Sequence, residues 1–378
     1  MRFLLKGLLF IILFIFVLNI FGSSLKDMNV YSAFKEFKTK FITVMNHPNV
    51  ASTLETIQGS MDTVLEDINE AFTSIQKEQP APAKVEKTRL QQPQSHTFSV
   101  HNIEIGDSKD EVDRLAGVAQ RAVPNEYELN WFTYHENYQN FFMVAYDRQN
   151  KVAGLYTNQD LISSKQGITN GTAKETVRNA LGEPMTGIRK GLITYRTQTD
   201  SEYDLFQLDN SYVTIFYDKH ENNTVTAIQI ISSDMEQQKE GFYPDSSSAL
   251  KEGFELQLFD LTNATRVEHG LPFLSWDDHV RETARKHSND MAINNFFDHT
   301  NLDGQSPFDR MEEDNIRFRV AGENLAAGQT SSIFAHEGLM NSLGHRENIL
   351  HPDFESIGVG VAFDSESKPY FTENFLTK

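Results

Sequence analysis

At 378 residues, with 39% hydrophobic and 11% aromatic residues, the chain can bury real cores, and at roughly 100 to 200 residues per domain it should fold as two or three units. A formal net charge of −19 argues against a nucleic-acid or anionic-lipid surface, because phosphates are held by clustered Lys and Arg. With no cysteine, disulfides, thiolate nucleophiles and Cys-ligated zinc are excluded, so any metal site must use His and carboxylates.

Arg2 and Lys6 precede an apolar run over 7–21 broken only by Asn19, the charge-then-apolar order of an export signal. Counted from Phe3 the stretch approaches the ~20 residues that span hydrocarbon. Two outcomes stay open for 1–24: a retained membrane anchor, or a signal peptide cleaved after Ser24. Positive charge on the leading flank keeps that end inside, which places the rest outside, secreted or membrane-anchored.

Residues 28–77 carry Phe34, Phe37, Phe41 and Val44, then Leu54, Ile57, Met61, Val64 and Ile68, a helical spacing that predicts two amphipathic helices divided near Pro48. A membrane-proximal stalk over 25–77 follows. Residues 78–96, rich in Pro, Gln and Lys, read as a linker.

An internal repeat comes next. Gly106, Val112 and Gly117 recur as Gly171, Val177 and Gly182 at an offset of 65, each set followed by strand-like runs with Asp147 and Asp218 at matching turns. Two small α+β units in tandem, over 97–232, are expected to bury a face of each sheet by pairing. Trp131, Phe132, Tyr134 and Tyr138 could line a groove, but beside strands they read first as core. A polar stretch over 233–253 closes the domain as a second linker.

Helical periodicity returns at Phe254, Leu258, Leu261 and Val267, with a stop at Gly270 before Pro272. Asp277 is a natural N-cap for a second helix to about Asn294, with Val280, Ala284, His287 and Met291 inward. Ser306-Pro307 starts a third helix. Alternation over 357–363 and 370–375 predicts two strands. The fold class is α+β: a C-terminal α-β-α sandwich over 254–378 behind a duplicated small α+β domain.

In that C-terminal stretch stand Leu261-Thr262-Asn263 with Arg266, Gly270-Leu271 and Trp276; then Ala284, His287-Ser288 and Asp290-Met291; Phe296-Phe297-Asp298-His299-Thr300; Gly322-Glu323-Asn324-Leu325-Ala326; and Gly344-His345-Arg346 with Asn348-Ile349-Leu350, before Ile357-Gly358-Val359-Gly360. In order and spacing these resemble the CAP superfamily, also called SCP or PR-1-like. The preceding region, notably Asn130-Trp131-Phe132-Thr133-Tyr134-His135, resembles the CAP-associated N-terminal domain of Bacillus-type exported proteins.

The resemblance implies a cleft of two His and up to two acids, which map onto His299, Glu323 and His345. The second acid has no counterpart, since the matching stretch here is Leu339-Met340-Asn341-Ser342. His287, Asn324, Ser342, Arg346 and Asn348 are expected as supporting residues. Glu323 and Asn324 read equally as braces of a loop, and Arg346 and Asn348 as braces of a short helix. His269, His279, His336 and His351 show no partner pattern and are expected at the surface.

The chemistry of the cleft allows two classes of function. Two imidazoles and a carboxylate form a set that suits zinc or another divalent cation with an open position for water, making His299, His345 and Glu323 candidate ligands of a metal-dependent hydrolase acting on peptide or wall substrates. No zincin helix is present, because His336-Glu337 lacks the second His, and no G-x-S-x-G elbow or P-loop occurs. The resemblance implies instead a non-enzymatic binding module with a cell-envelope or extracellular ligand. Lipid or sterol binding does not carry over to a chain without the disulfides of eukaryotic members.

Overall fold

The computed structural model describes residues 85–196 and 202–378. The expected anchor or signal over 1–24 and the stalk over 25–77 lie outside the described residues. Among the described residues no helix is long and apolar enough to cross a membrane.

The first domain is built on one seven-stranded sheet. Its elements are β1 (Phe98–Val100), α1 (Lys109–Ala116), β2 (Arg121–Pro124), β3 (Asn130–Glu136), β4 (Gln139–Tyr146), β5 (Val152–Thr157), β6 (Ile162–Ser164), α2 (Lys174–Leu181), β7 (Gly187–Lys190), β8 (Ile193–Arg196), β9 (Tyr203–Leu208), β10 (Ser211–Asp218) and β11 (Thr224–Ser232). The strands run in the order β2-β3-β4-β5-β11-β10-β9, and antiparallel pairing of β5 with β11 joins the two halves edge to edge. The face-to-face pairing expected from the sequence is therefore replaced by one continuous sheet.

One backbone pattern is found in both halves. The Gly106 N–H donates to Val152 O and the Gly171 N–H to Val225 O, while Lys109 N donates to Asn150 O and Lys174 N to Asn223 O. Gly106 and Gly171 both sit at positive φ, 90° and 80°, where a side chain would be strained. One sheet face, with Phe142, Val144, Leu155, Val213 and Ile215, packs with Val112 of α1 and Val177 of α2 in a first core. Residues 85–96, expected as linker, lack regular structure but are tied down: the N–H groups of Gln94, Ser95 and His96 all donate to the Glu104 carboxylate.

The stretch 233–253 is not a bare linker either. Ser232 caps a short helix, α3 (Ser233–Gln238), and Ser247 caps α4 (Ser248–Glu268), which starts six residues before the expected Phe254. Then come β12 (Ser275–Trp276), α5 (Asp278–Asn294), α6 (Pro307–Glu313), β13 (Val320–Ala327), α7 (Ser332–Met340), α8 (Leu343–Ile349), β14 (Ser356–Phe363) and β15 (Pro369–Thr377). Asp277 accepts from the N–H groups of His279 and Val280 at the start of α5, and Ser306 forms a capping box with Asp309 around Pro307 at the start of α6.

Strand order β12-β14-β15-β13 makes the second sheet, and alternate residues of β15 show its two layers. Thr372 shares a hydrogen bond with Ser288 of α5 on one face, whereas Phe371 stacks on Phe254 and Glu373 accepts from Thr262, both of α4, on the other. This is the α-β-α sandwich. A Cβ at Gly358 or Gly360 would run into the α5 backbone, so these glycines let that helix lie flat on the sheet.

The two domains share a core. Trp131, Tyr138, Phe141, Met143, Tyr156 and Phe216 of the first sheet's other face cluster with Phe254, Leu258, Phe259 and Leu339 of α4 and α7. Trp131, Tyr134 and Tyr138 are buried, as the core reading expects. Polar groups close the seam: Arg121 pairs with Asp260, Asn158 donates to Thr265, and Gln257 donates to Pro124 O.

Candidate functional site

The loop after α5 carries His299, and two side chains shape it. The His287 ring, buried on the inner face of α5, lies 3.0 Å by its Nε2 from Asp298 O. Arg310 of α6 donates to His299 O at 2.8 Å and to Gln305 O at 3.0 Å. Asp298 O and His299 O thereby gain donors, while Gln305 O also accepts from the Asn301 N–H, and the His299 ring is presented half-exposed.

His299 Nδ1 lies 2.9 Å from Glu323 Oε1, and the Arg310 guanidinium donates to Glu323 Oε2 at 2.7 Å. The Glu323 side chain is 1% exposed, Arg310 7% and His299 50%. The bond from Glu323 raises the His299 pKa above its ordinary value, against burial. With Nδ1 committed to Glu323, Nε2 is the nitrogen His299 offers to a ligand.

His345 enters from α8. Burial lowers its pKa, and the charge of His299 adds to the effect, so the two imidazoles have opposite tendencies: His299 leans to the charged form and His345 to the neutral one. His345 Nδ1 is buried without a hydrogen-bond partner. Below them Asn324 donates to His345 O at 3.2 Å and to Glu373 Oε2 at 3.0 Å, and Asn348 donates to Asn324 Oδ1 and to Glu323 O. Glu373 is fully buried, which pushes its carboxyl up to about 7. Arg266, also buried, donates to Ile349 O and His351 O and so anchors the end of α8.

Of the residues expected from sequence, the structure brings together His299, Glu323 and His345, with His287, Asn324 and Asn348 as braces. Glu323 and Asn324 stand on a strand, β13, and not in a loop. Arg346 does not join them: its guanidinium pairs with Asp218 of the first domain at 2.6 Å. Ser342 precedes α8 without a side-chain capping bond. His336, expected at the surface, is buried, because the first domain covers α7. Glu337 points into the same seam, accepting from Tyr156 OH at 2.6 Å, and does not supply the missing acid. Arg310 and Glu373 were not legible as site residues; each is a single charge at no fixed offset from a motif.

The candidate metal set fails a test of its donors. Glu323 has one oxygen on His299 and the other on Arg310, whose fixed positive charge repels a cation there. Two imidazoles remain, and among the described residues no three His, Asp or Glu groups are placed to hold a metal ion.

Two family models match this chain: the cysteine-rich secretory protein family, CAP, over residues 259–375 and the CAP-associated N-terminal family over 105–242. The "Uncharacterized membrane protein YlbC" of Bacillus subtilis (strain 168) is 30% identical over 292 residues, 72% of this chain and 82% of that protein. The chain belongs to the CAP family. The "Uncharacterized protein YkwD" of the same organism is 42% identical over 135 residues, 36% of this chain and half of its own length. A crystal structure of an extracellular SCP-domain protein from Bacillus anthracis str. Ames matches with TM-score 0.64 and 25% identity over 78% of this chain and all of that one. A cysteine-rich secretory protein from Staphylococcus aureus subsp. aureus Mu50 shares the fold, with TM-score 0.58 and 15% identity, over 72% of this chain and 91% of that one. This CAP protein keeps the family's fold without a cysteine.

Proposed function

We propose that this CAP protein is an exported, envelope-associated, non-catalytic binding module whose contact site is the cleft at His299 and His345. The observation that carries the reading is the saturation of Glu323. A buried carboxylate held by His299 on one oxygen and Arg310 on the other orients a histidine and is not free to act as a general base or metal ligand. What the cleft offers outward is the half-exposed His299 ring, biased toward imidazolium, which suits an acceptor group such as a carboxylate or carbonyl. Phe297, Leu302 and Leu343, all exposed and two or three residues from His299 or His345, add apolar contact. Placement outside the membrane is supported by the charge-then-apolar start of the sequence, by a relative named as a membrane protein and by a structural neighbour described as extracellular.

The test is co-sedimentation of the full chain with isolated bacterial cell envelopes. Saturable binding weakened at least about tenfold (1.4 kcal/mol) in His299→Ala, with no soluble fragment released, is expected. Binding that survives in His299→Ala/His345→Ala, or release of wall or peptide fragments that stops in those variants, contradicts it.

A further inference from the structure

Away from the cleft, a cavity of about 170 Å³ opens between the two domains. Its walls are the β10–β11 turn region and the segment after β5 on one side, and α4 and α7 on the other. Room of that size holds about six waters at ~30 Å³ each, or an organic molecule of a few heavy atoms.

Two buried polar atoms on its wall have no partner: Asn158 Oδ1 and His336 Nδ1. Their residues are 7% and 1% exposed. Both are fixed in orientation by Thr265, which receives Asn158 Nδ2 at 2.9 Å and meets His336 Nε2 at 2.7 Å. Asn158 Nδ2 faces Thr265 Oγ1 at 2.9 Å and Leu261 O at 3.5 Å, and two acceptors on that side favour the orientation that turns the amide oxygen to the cavity. An orphaned acceptor of this kind costs ~1–3 kcal/mol unless something occupies the cavity.

The charge of the lining says what kind of molecule. Asp218, Glu221, Glu268 and Glu337 line the space with no Lys or Arg among the lining residues. Arg346 balances Asp218 from behind. Glu337 has only the Tyr156 hydroxyl and the like charge of Asp218, and its burial pushes its carboxyl up to about 7; burial pushes His336 down to about 3, so that ring adds no positive charge. Glu221 and Glu268 are exposed at the rim. No trio of His, Asp or Glu among the described residues is placed for a metal ion, which leaves an organic cation.

We propose that this interdomain cavity binds a small organic cation with N–H donors, such as a primary ammonium group, its nitrogen directed to Asn158 and the carboxylates and its short chain to Val225 and Met340. Both domains line the cavity, so occupancy favours their docked arrangement by a free energy that grows as the logarithm of one plus ligand concentration over Kd.

Calorimetry and thermal melting of the full chain with n-butylammonium chloride test this, beside n-butanol and calcium chloride at equal concentration. One saturable equivalent of the ammonium, a raised melting temperature, and affinity lowered about tenfold in the rim variant Glu221→Gln/Glu268→Gln are expected, with Asn158→Leu abolishing binding. The rim residues are exposed, so that variant keeps the test valid if Asn158→Leu does not fold. No saturable binding at ligand concentrations up to about 10 mM (~2.7 kcal/mol at 298 K) overturns the proposal. Equal binding of butanol, binding of calcium in place of the ammonium, or a rim variant with wild-type affinity does so too.

Discussion

Glu323 meets Arg310 where both side chains are almost fully buried, and removing one member of such a pair strands a charge out of water. Arg310→Met should therefore destabilise the protein by roughly 3–5 kcal/mol in denaturant unfolding, and adding Glu323→Leu should recover much of the loss. The same carboxylate shifts the titration of His299. Because Glu323 raises the His299 pKa, the pair's contribution is complete below the unfolded value and is lost as pH rises through the folded one. Glu323→Gln should return the His299 titration, followed by imidazole NMR, toward ~6.5; an unchanged midpoint would show that Glu323 does not tune it. His299, Glu323 and His345 were legible because each sits inside a motif of several residues. Arg310 was not, since a lone Arg on a helix looks like any solvated charge until the fold turns it inward.

Among elements, α5 crosses β14 where Gly358 and Gly360 have no side chain to hold it off. Gly360→Ala should force the layers apart and cost on the order of 1–3 kcal/mol, read as a lowered melting temperature; a neutral result would mean that the helix can shift freely. Helix starts were readable because Asp277 and Ser306 make their caps locally. The strand β13 was not, because Glu323 and Asn324 are buried polar residues, and their hydrogen bonds to His299, Arg310 and Glu373 replace the apolar alternation that marks a strand. A similar limit hid the true start of α4, whose first turn is polar around Ser247–Ser248.

At the scale of the whole molecule, the first domain is part of the same packing unit as the CAP domain, with Tyr156, Asp218 and Asn341 bonded across the seam. Sequence periodicity could mark both domains but not their docking, which depends on residues such as Arg346 and His336 that look exposed in isolation. Glu337, facing Tyr156 and Asp218 in this seam, has its carboxyl pushed up to about 7 by burial. The folded state then binds more protons than the unfolded one between ~4.5 and 7, so Glu337 makes stability fall as pH rises through that window. Glu337→Gln, which keeps an acceptor for Tyr156, should flatten that part of the profile and stabilise the protein above pH 7 by on the order of 1–3 kcal/mol. A profile parallel to wild type would show that Glu337 is not the group responsible.

Binding module and metal hydrolase differ most sharply in what His299 and His345 do with zinc. Calorimetric titration of zinc into the full chain, beside His299→Ala and His345→Ala, should show no equivalent whose binding depends on both histidines, because Arg310 and His299 already hold Glu323. One saturable equivalent lost in both variants would contradict that account and make the cleft a metal site.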